Sequence, residues 1–220
     1  MRIASLHRWP VKSMAGEALG ALEVDWRGAP GDRARAVFDL DRGQRLTARQ
    51  APRLLAWAAR FEGDEVVVRA PDGTDRAWDD PSFGAALAAD LGREVRLDHD
   101  ERGMQDLGET LLLTTRASLE AVPEPWRDLR RFRTNVHLQL DAPAWAEERW
   151  EGRRLRLGEV ELELLHPCER CAIPTRDPDT QAKDGGLARW LAREHDTLFG
   201  INARVVRPGT LRVGDPVSLL

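Results

Sequence analysis

Residues 150–171 read WEGRRLRLGEVELELLHPCERC, and the fold turns on how this run divides. Leu155 and Leu157 alternate with Arg154 and Arg156. Val160, Leu162 and Leu164 alternate with Glu161 and Glu163. A period of two marks a half-buried strand, and Gly158-Glu159 between the runs suits a two-residue turn. The stretch predicts an antiparallel hairpin over 153–157 and 160–165. Its second arm delivers His166-Pro167-Cys168-Glu169-Arg170-Cys171 to a strand end, with Pro174 and Pro178 just beyond.

Working outward, the same short alternating runs recur. Strands are predicted over 2–9, 20–26, 34–40, 65–70, 94–97 and 135–140, with shorter ones around 203–206, 211–213 and 217–219. Turn clusters lie at 28–32, 41–43 and 71–73. Short helices are predicted over 53–61, over 83–91 with Ser82 as cap and Gly92 as stop, over 116–121 behind Thr114 or Thr115, and over 186–195. Many short strands with few helices argue for a β-rich α+β fold of barrel-like units, not a doubly wound sheet. The polar run 99–108 reads as a loop or junction. It divides the chain into an N-terminal unit, 1–98, and a C-terminal unit, 99–220.

Composition narrows the function. The chain has 220 residues, 42% hydrophobic and 32% charged, with a formal net charge of −4. That suits a globular protein and gives no bulk attraction to nucleic acid or a membrane surface. No window approaches the roughly 20 apolar residues of a membrane span, and the first 15 residues contain no apolar signal-peptide core. A cytoplasmic location is expected. Lysine occurs only at Lys12 and Lys183, among many arginines, which base composition explains in general. Lys12 stands out because an ammonium is a compact point charge suited to a phosphate oxygen.

Cys168 and Cys171 are the only cysteines. A structural zinc site needs four ligands, and beyond His166 only Glu169 or Asp177 lies close in sequence. A redox dithiol opens a helix, which Pro174 and Pro178 prevent here. Two readings remain: buried packing, or a thiolate beside Arg170 that ligates the metal of an organic cofactor. Other clusters put polar groups at strand ends, at Pro10 to Ser13, Gly31 to Arg33, Thr47 to Leu54 and Arg131 to Asn135. Together they form the donor set of a phosphorylated, heteroatom-rich anion. No dinucleotide or flavin fingerprint is present.

These pieces, in order, are WPVKSMAG, GDR, LTARQAPRL, LLLTTRASL, RFRTN, the 150–171 tract, RDPDT, FGIN and PGTLRVGDPV. In combination they resemble the MOSC family (molybdenum-cofactor sulfurase C-terminal domain), in the arrangement with an N-terminal β-barrel domain that amidoxime-reducing proteins have. The resemblance runs from Leu6 to Leu219. It implies a molybdenum cofactor in a cleft between two barrel-like domains and the reduction of small N-hydroxylated or N-oxygenated compounds. By residue-wise matching it implies Cys171 as metal ligand, and Lys12, Ser13, Arg33, Thr115, Arg133, Asn135 and Arg170 around the cofactor. Asp177 is implied near the open metal face, orienting substrate or relaying a proton. Cys168 takes a supporting position. Without cysteines for an iron–sulfur cluster, electrons are expected from a separate ferredoxin- or cytochrome-like donor with its reductase. The alternatives are a non-catalytic carrier of cofactor or persulfide sulfur, and an interaction domain with a decayed site. The chain departs from the family pattern at Thr134 (usually proline), Gln181 (usually glycine) and Arg176 (usually apolar). These positions bear on substrate preference.

Overall fold

A computed structural model describes residues 1–100 and 110–220; most of the polar junction run, 101–109, lies outside the described residues. Sixteen strands and three α-helices are described. They are β1 (Arg2–Arg8), β2 (Glu17–Leu19), β3 (Ala21–Val24), β4 (Arg35–Asp39), β5 (Gln44–Leu46), β6 (Ala58–Glu62), β7 (Glu65–Arg69), β8 (Asp75–Ala77), α1 (Pro81–Leu91), β9 (Val95–His99), β10 (Leu111–Thr115), α2 (Arg116–Ala121), β11 (Val136–Gln139), β12 (Arg154–Leu157), β13 (Val160–Glu169), α3 (Gly186–Glu194), β14 (Leu198–Arg207), β15 (Gly209–Arg212) and β16 (Val217–Leu219). The architecture is β-rich α+β.

The predicted hairpin is β12–β13, in register from Arg154 opposite Glu163 to Leu157 opposite Val160. It sits inside an eight-stranded sheet ordered β16-β12-β13-β14-β10-β11-β1-β2. All described pairs in it are antiparallel except β10–β11. The sheet curls until the start of β1 meets the segment before β16: the Ile3 amide donates to Asp215 O at 3.0 Å and Arg2 bridges Pro216. Inward-facing Ile3, Leu6, Leu113, Val136, Leu155 and Leu162 fill this core.

A second core gathers Val11, Met14, Val37, Leu54, Trp57, Val68, Phe83 and Leu87 between β5-β4-β9, β6-β7-β8 and α1. β1 and β2 pair within the large sheet, and β3 pairs with β15 in a separate two-stranded sheet, while Val11 and Met14, between β1 and β2, belong to the second core. The chain therefore enters the second core between β1 and β2, and again after β3. The first entry, at Trp9–Ser13, runs along the cleft described below.

Three local expectations are corrected. Residues 53–61 are not one helix: a 3-10 turn over Pro52–Ala56 gives way at Trp57 to β6, which pairs with β7. The helical spacing of Leu54, Leu55, Trp57 and Ala58 is overridden because the strand satisfies its backbone groups in the sheet. Helix α1 is capped by Asp80, which accepts from the Ser82 amide at 2.8 Å, with Pro81 in its first turn. Gly92 ends it at φ 60°, as its position predicts. The strands β13 and β14 each run ten residues, well past their alternating sequence cores. β14 lies so close to β10 that a Cβ at Gly200 would meet Leu113 O at 2.6 Å. Among the described residues, no helix is long and apolar enough to cross a membrane.

Candidate functional site

A cleft of about 390 Å³ lies between the two cores. Five structural pieces converge on it. Lys12 and Ser13 come from the chain leaving β1, and Arg33 precedes β4. Thr47, Arg49 and Gln50 follow β5. Phe132 and Arg133 precede β11. His166, Cys168, Arg170 and Cys171 come from the end of β13. The hairpin that decides the fold thus carries both cysteines to the cleft wall.

Backbone contacts lock these pieces together. The Lys12 amide donates to Arg35 O at 2.8 Å and the Arg33 amide to Trp9 O at 2.7 Å. Asp32, buried, accepts from the Trp9 amide at 2.7 Å and ion-pairs with Arg33. Arg33 donates to Arg133 O at 2.8 Å and to Asn135 Oδ1 at 3.2 Å. Arg133 in turn donates to Met14 O at 2.6 Å and lies over the Trp9 ring, 4.4 Å from its centroid. Ser13, Arg33 and Arg133 have φ of 72°, 50° and 54°, in the left-handed region that non-glycine residues rarely enter. Three such residues on one wall mark a place where backbone strain is held by surrounding contacts.

Among the described lining residues, Lys12, Arg33, Arg49, Arg133 and Arg170 bring five cations to the wall, against one carboxylate, that of Glu169. Burial pushes the Arg133 guanidinium down to about 9. Arg33 and Arg170 push the same way, while Asp32 and Cys171 oppose them. Three buried polar atoms on cleft residues lack a protein partner: Ser13 Oγ, Arg133 Nη2 and Arg170 Nε. Unsatisfied buried donors are costly and call for a ligand. Strained hydroxyl and guanidinium donors and a positive surplus fit a phosphate-bearing, polar heterocycle.

The two thiols are not equivalent. Both are half-buried and unbridged. Arg170 Nη1 lies 3.1 Å from Cys168 Sγ, and its Nη2 donates to Phe132 O at 2.7 Å. Cys168 is therefore held by the arginine beside it. Cys171 lines the same cleft and also a small pocket beside Leu187 and Leu191 of α3. Among the described residues no group of three or more His, Cys, Asp or Glu side chains is placed to hold a metal alone.

Three expected contacts stand elsewhere. Thr115 is buried as the cap of α2, with its Oγ1 2.8 Å from Ser118 Oγ and 3.1 Å from Glu147 Oε1. Asn135 lies behind the wall. Its Oδ1 accepts from Arg33 and the Leu112 amide, and its Nδ2 donates to His7 O at 3.3 Å. Asp177 is absent from the wall as well. It accepts from the Thr180 amide and hydroxyl, the Asp179 amide and Arg131 Nη2. These bonds, the Thr180 amide first, hold its carboxyl below the ordinary range. It therefore stays ionised, organising a turn. Conversely, Thr47, Arg49 and Gln50 line the cleft, although in sequence they were visible only as a polar cluster; Asn202 lines it from the FGIN piece, and Thr110 carried no local signal.

The sequence model of the MOSC domain matches residues 100–218, and that of the MOSC N-terminal beta barrel domain matches residues 1–99. The chain is 27% identical over 280 residues to the mitochondrial amidoxime reducing component 2 of Homo sapiens, covering 98% of this chain and 82% of that protein. It is 26% identical over 281 residues to the mitochondrial amidoxime-reducing component 1 of Mus musculus, covering 99% and 82%. Among solved structures, the YUAD protein from Bacillus subtilis superposes with a TM-score of 0.52 at 14% identity, covering 99% of this chain and 94% of that one. This last likeness is one of fold.

Proposed function

The chain belongs to the MOSC domain family, with that family's N-terminal beta barrel domain ahead of the MOSC domain, and on this premise we propose that its cleft holds a molybdenum cofactor used to reduce N-hydroxylated or N-oxygenated compounds. The carrying observation is the set of partnerless buried donors, Ser13 Oγ, Arg133 Nη2 and Arg170 Nε, on a wall with surplus positive charge. Relatives named for amidoxime reduction support the choice of substrate.

In this reading Lys12, Ser13 and Arg33 hold the cofactor's phosphate and pterin, with Thr47 and Gln50 adding neutral donors. Asp32 and Asn135 act through Arg33 by fixing its guanidinium. Cys171 supplies the thiolate ligand, and Cys168 stays on Arg170 as support. When bound, the cofactor supplies a two-electron redox centre for cleavage of the N–O bond. Reducing an N-hydroxylated group to the amine and water consumes two electrons and two protons. A separate donor protein delivers the electrons.

Elemental and pterin analysis tests this on protein purified from a host that makes the cofactor. Stoichiometric molybdenum and pterin are expected in the wild type and in Cys168→Ser, with molybdenum lost in Cys171→Ser. A wild type free of both molybdenum and pterin defeats the proposal. Both present without reduction of any amidoxime by a chemical donor transfers the assignment to a cofactor carrier.

A further inference from the structure

A second pocket of about 200 Å³ adjoins the cleft; Arg133 and Ile173 line both spaces. Ile173 is two residues past Cys171, so the pocket opens beside the expected metal ligand. Its inner surface is largely apolar, formed by Trp9, Leu55, Ile173 and Pro178 with the small residues Ala15 and Ala18. Trp9 packs so tightly on the chain at Gly16 that a Cβ there would lie 2.7 Å from the indole.

Among the described lining residues Glu17 is the one carboxylate, and it is paired with Arg8 at 2.8 Å; Arg130 is held by Asp128 and Asp179 and Arg131 by Asp177, while Arg133 and Arg176 donate to the backbone carbonyls of Met14 and Gln181. Arg131 and Arg133 are each more than nine-tenths buried, and each has one nitrogen without a partner, Nε and Nη2 respectively. His7 on the same wall also has a buried, partnerless Nδ1. Buried donors without acceptors select a ligand that brings an acceptor. The arginine at position 176, where the family pattern has an apolar residue, adds to this bias.

We propose that this pocket seats the organic body of the substrate and selects small N-oxygenated compounds carrying a carboxylate, while rejecting cations. The inference rests on the reductase reading of the adjoining cleft. It also has a consequence for turnover. An amidoxime is uncharged at neutral pH, whereas the amidine formed from it is protonated. The arginine lining then disfavours the product once the N–O bond has been reduced, which speeds its release.

The test titrates the full chain as purified with three probes by calorimetry: benzamide oxime, its 4-carboxy derivative and benzamidine. The carboxylated oxime is expected to bind at least about tenfold tighter than benzamidine. Filling the pocket with Leu55→Trp, or independently with Ala18→Phe at the exposed edge of β2, is expected to weaken both oximes about tenfold or more. Arg176→Glu is expected to shift the preference toward benzamidine. Benzamidine binding as tightly as the carboxylated oxime overturns the proposal, as do both filling variants leaving every affinity unchanged. If the cofactor-loaded wild type reduces neither oxime, the reductase reading fails, yet these affinities still decide whether the pocket selects such ligands.

Discussion

Asn135 does not itself line the cleft, yet much of the wall's geometry passes through it. It holds Arg33 from behind, accepts from the Leu112 amide and donates to His7 O. Asn135→Ala leaves a buried amide and a guanidinium nitrogen short of acceptors. The expected loss of stability is about 2 kcal/mol, with pterin content falling because Arg33 is no longer fixed. Denaturant titration with pterin analysis checks this; full pterin occupancy in a folded variant would remove Asn135 from the positioning network. Thr134 stands where the family pattern has proline, and its hydroxyl bonds Leu112 O at 2.9 Å and Thr114 Oγ1 at 3.2 Å in full burial. Thr134→Val should cost about 1–2 kcal/mol, read as a shift of the denaturant midpoint. Gln181, where the pattern has glycine, holds φ 57° and caps its own turn by bonding Asp179 O at 2.8 Å. The side chain thus compensates a backbone conformation that glycine adopts freely.

At the scale of elements, α2 separates capping from binding. Thr115 accepts from the Ser118 amide and contacts buried Glu147, so Thr115→Val should destabilise by about 1–2 kcal/mol. Molybdenum and pterin content should stay at wild-type level; a selective loss of cofactor with unchanged thermal stability would return Thr115 to the site. The 3-10 turn and β6 teach the complementary lesson. Local spacing over 53–61 favours a helix, but β6 is one arm of a hairpin with β7, and its buried Ala59 joins the second core. The sheet's hydrogen bonds outweigh a short helix that would bury only one face.

The whole molecule carries opposed titrations. Burial lowers His137 to about 4 from an ordinary 6.5, and lowers His7 as well. The unfolded chain therefore binds protons more readily across that window. The contribution of His137 is complete above pH 6.5 and is lost as pH falls toward 4, on the order of 3 kcal/mol. Glu148 runs the other way: burial, then Glu147 and Asp196, push it up to about 7 from 4.5. Its contribution is complete below 4.5 and is lost as pH rises through 7. The slopes overlap, so stability should vary little between about pH 5 and 7. Glu148→Gln removes one slope. Its melting temperature should exceed wild type at pH 8, and its profile should become more acid-sensitive. Parallel wild-type and variant profiles from pH 5 to 8 would show that Glu148 does not titrate as described.

The sequence by itself determined the strand-rich class, the β12–β13 hairpin and the residues from Lys12 to Cys171 that carry cationic or thiol chemistry. Period-two alternation, two-residue turns and residue type are local properties, and local properties can be read along a chain. Only the tertiary structure decided that β1 and β2 join the C-terminal sheet, because strand partners are chosen by the burial of a shared core. It alone left Thr115, Asn135 and Asp177 out of the cleft lining, and it alone decided that Thr47, Gln50 and Asn202, from pieces already visible in sequence, line it. A polar residue near a strand end has the same chemistry whether it faces ligand or backbone. Which it faces depends on the path of distant segments, and at Asn135 that path is set by Arg33, 102 residues earlier.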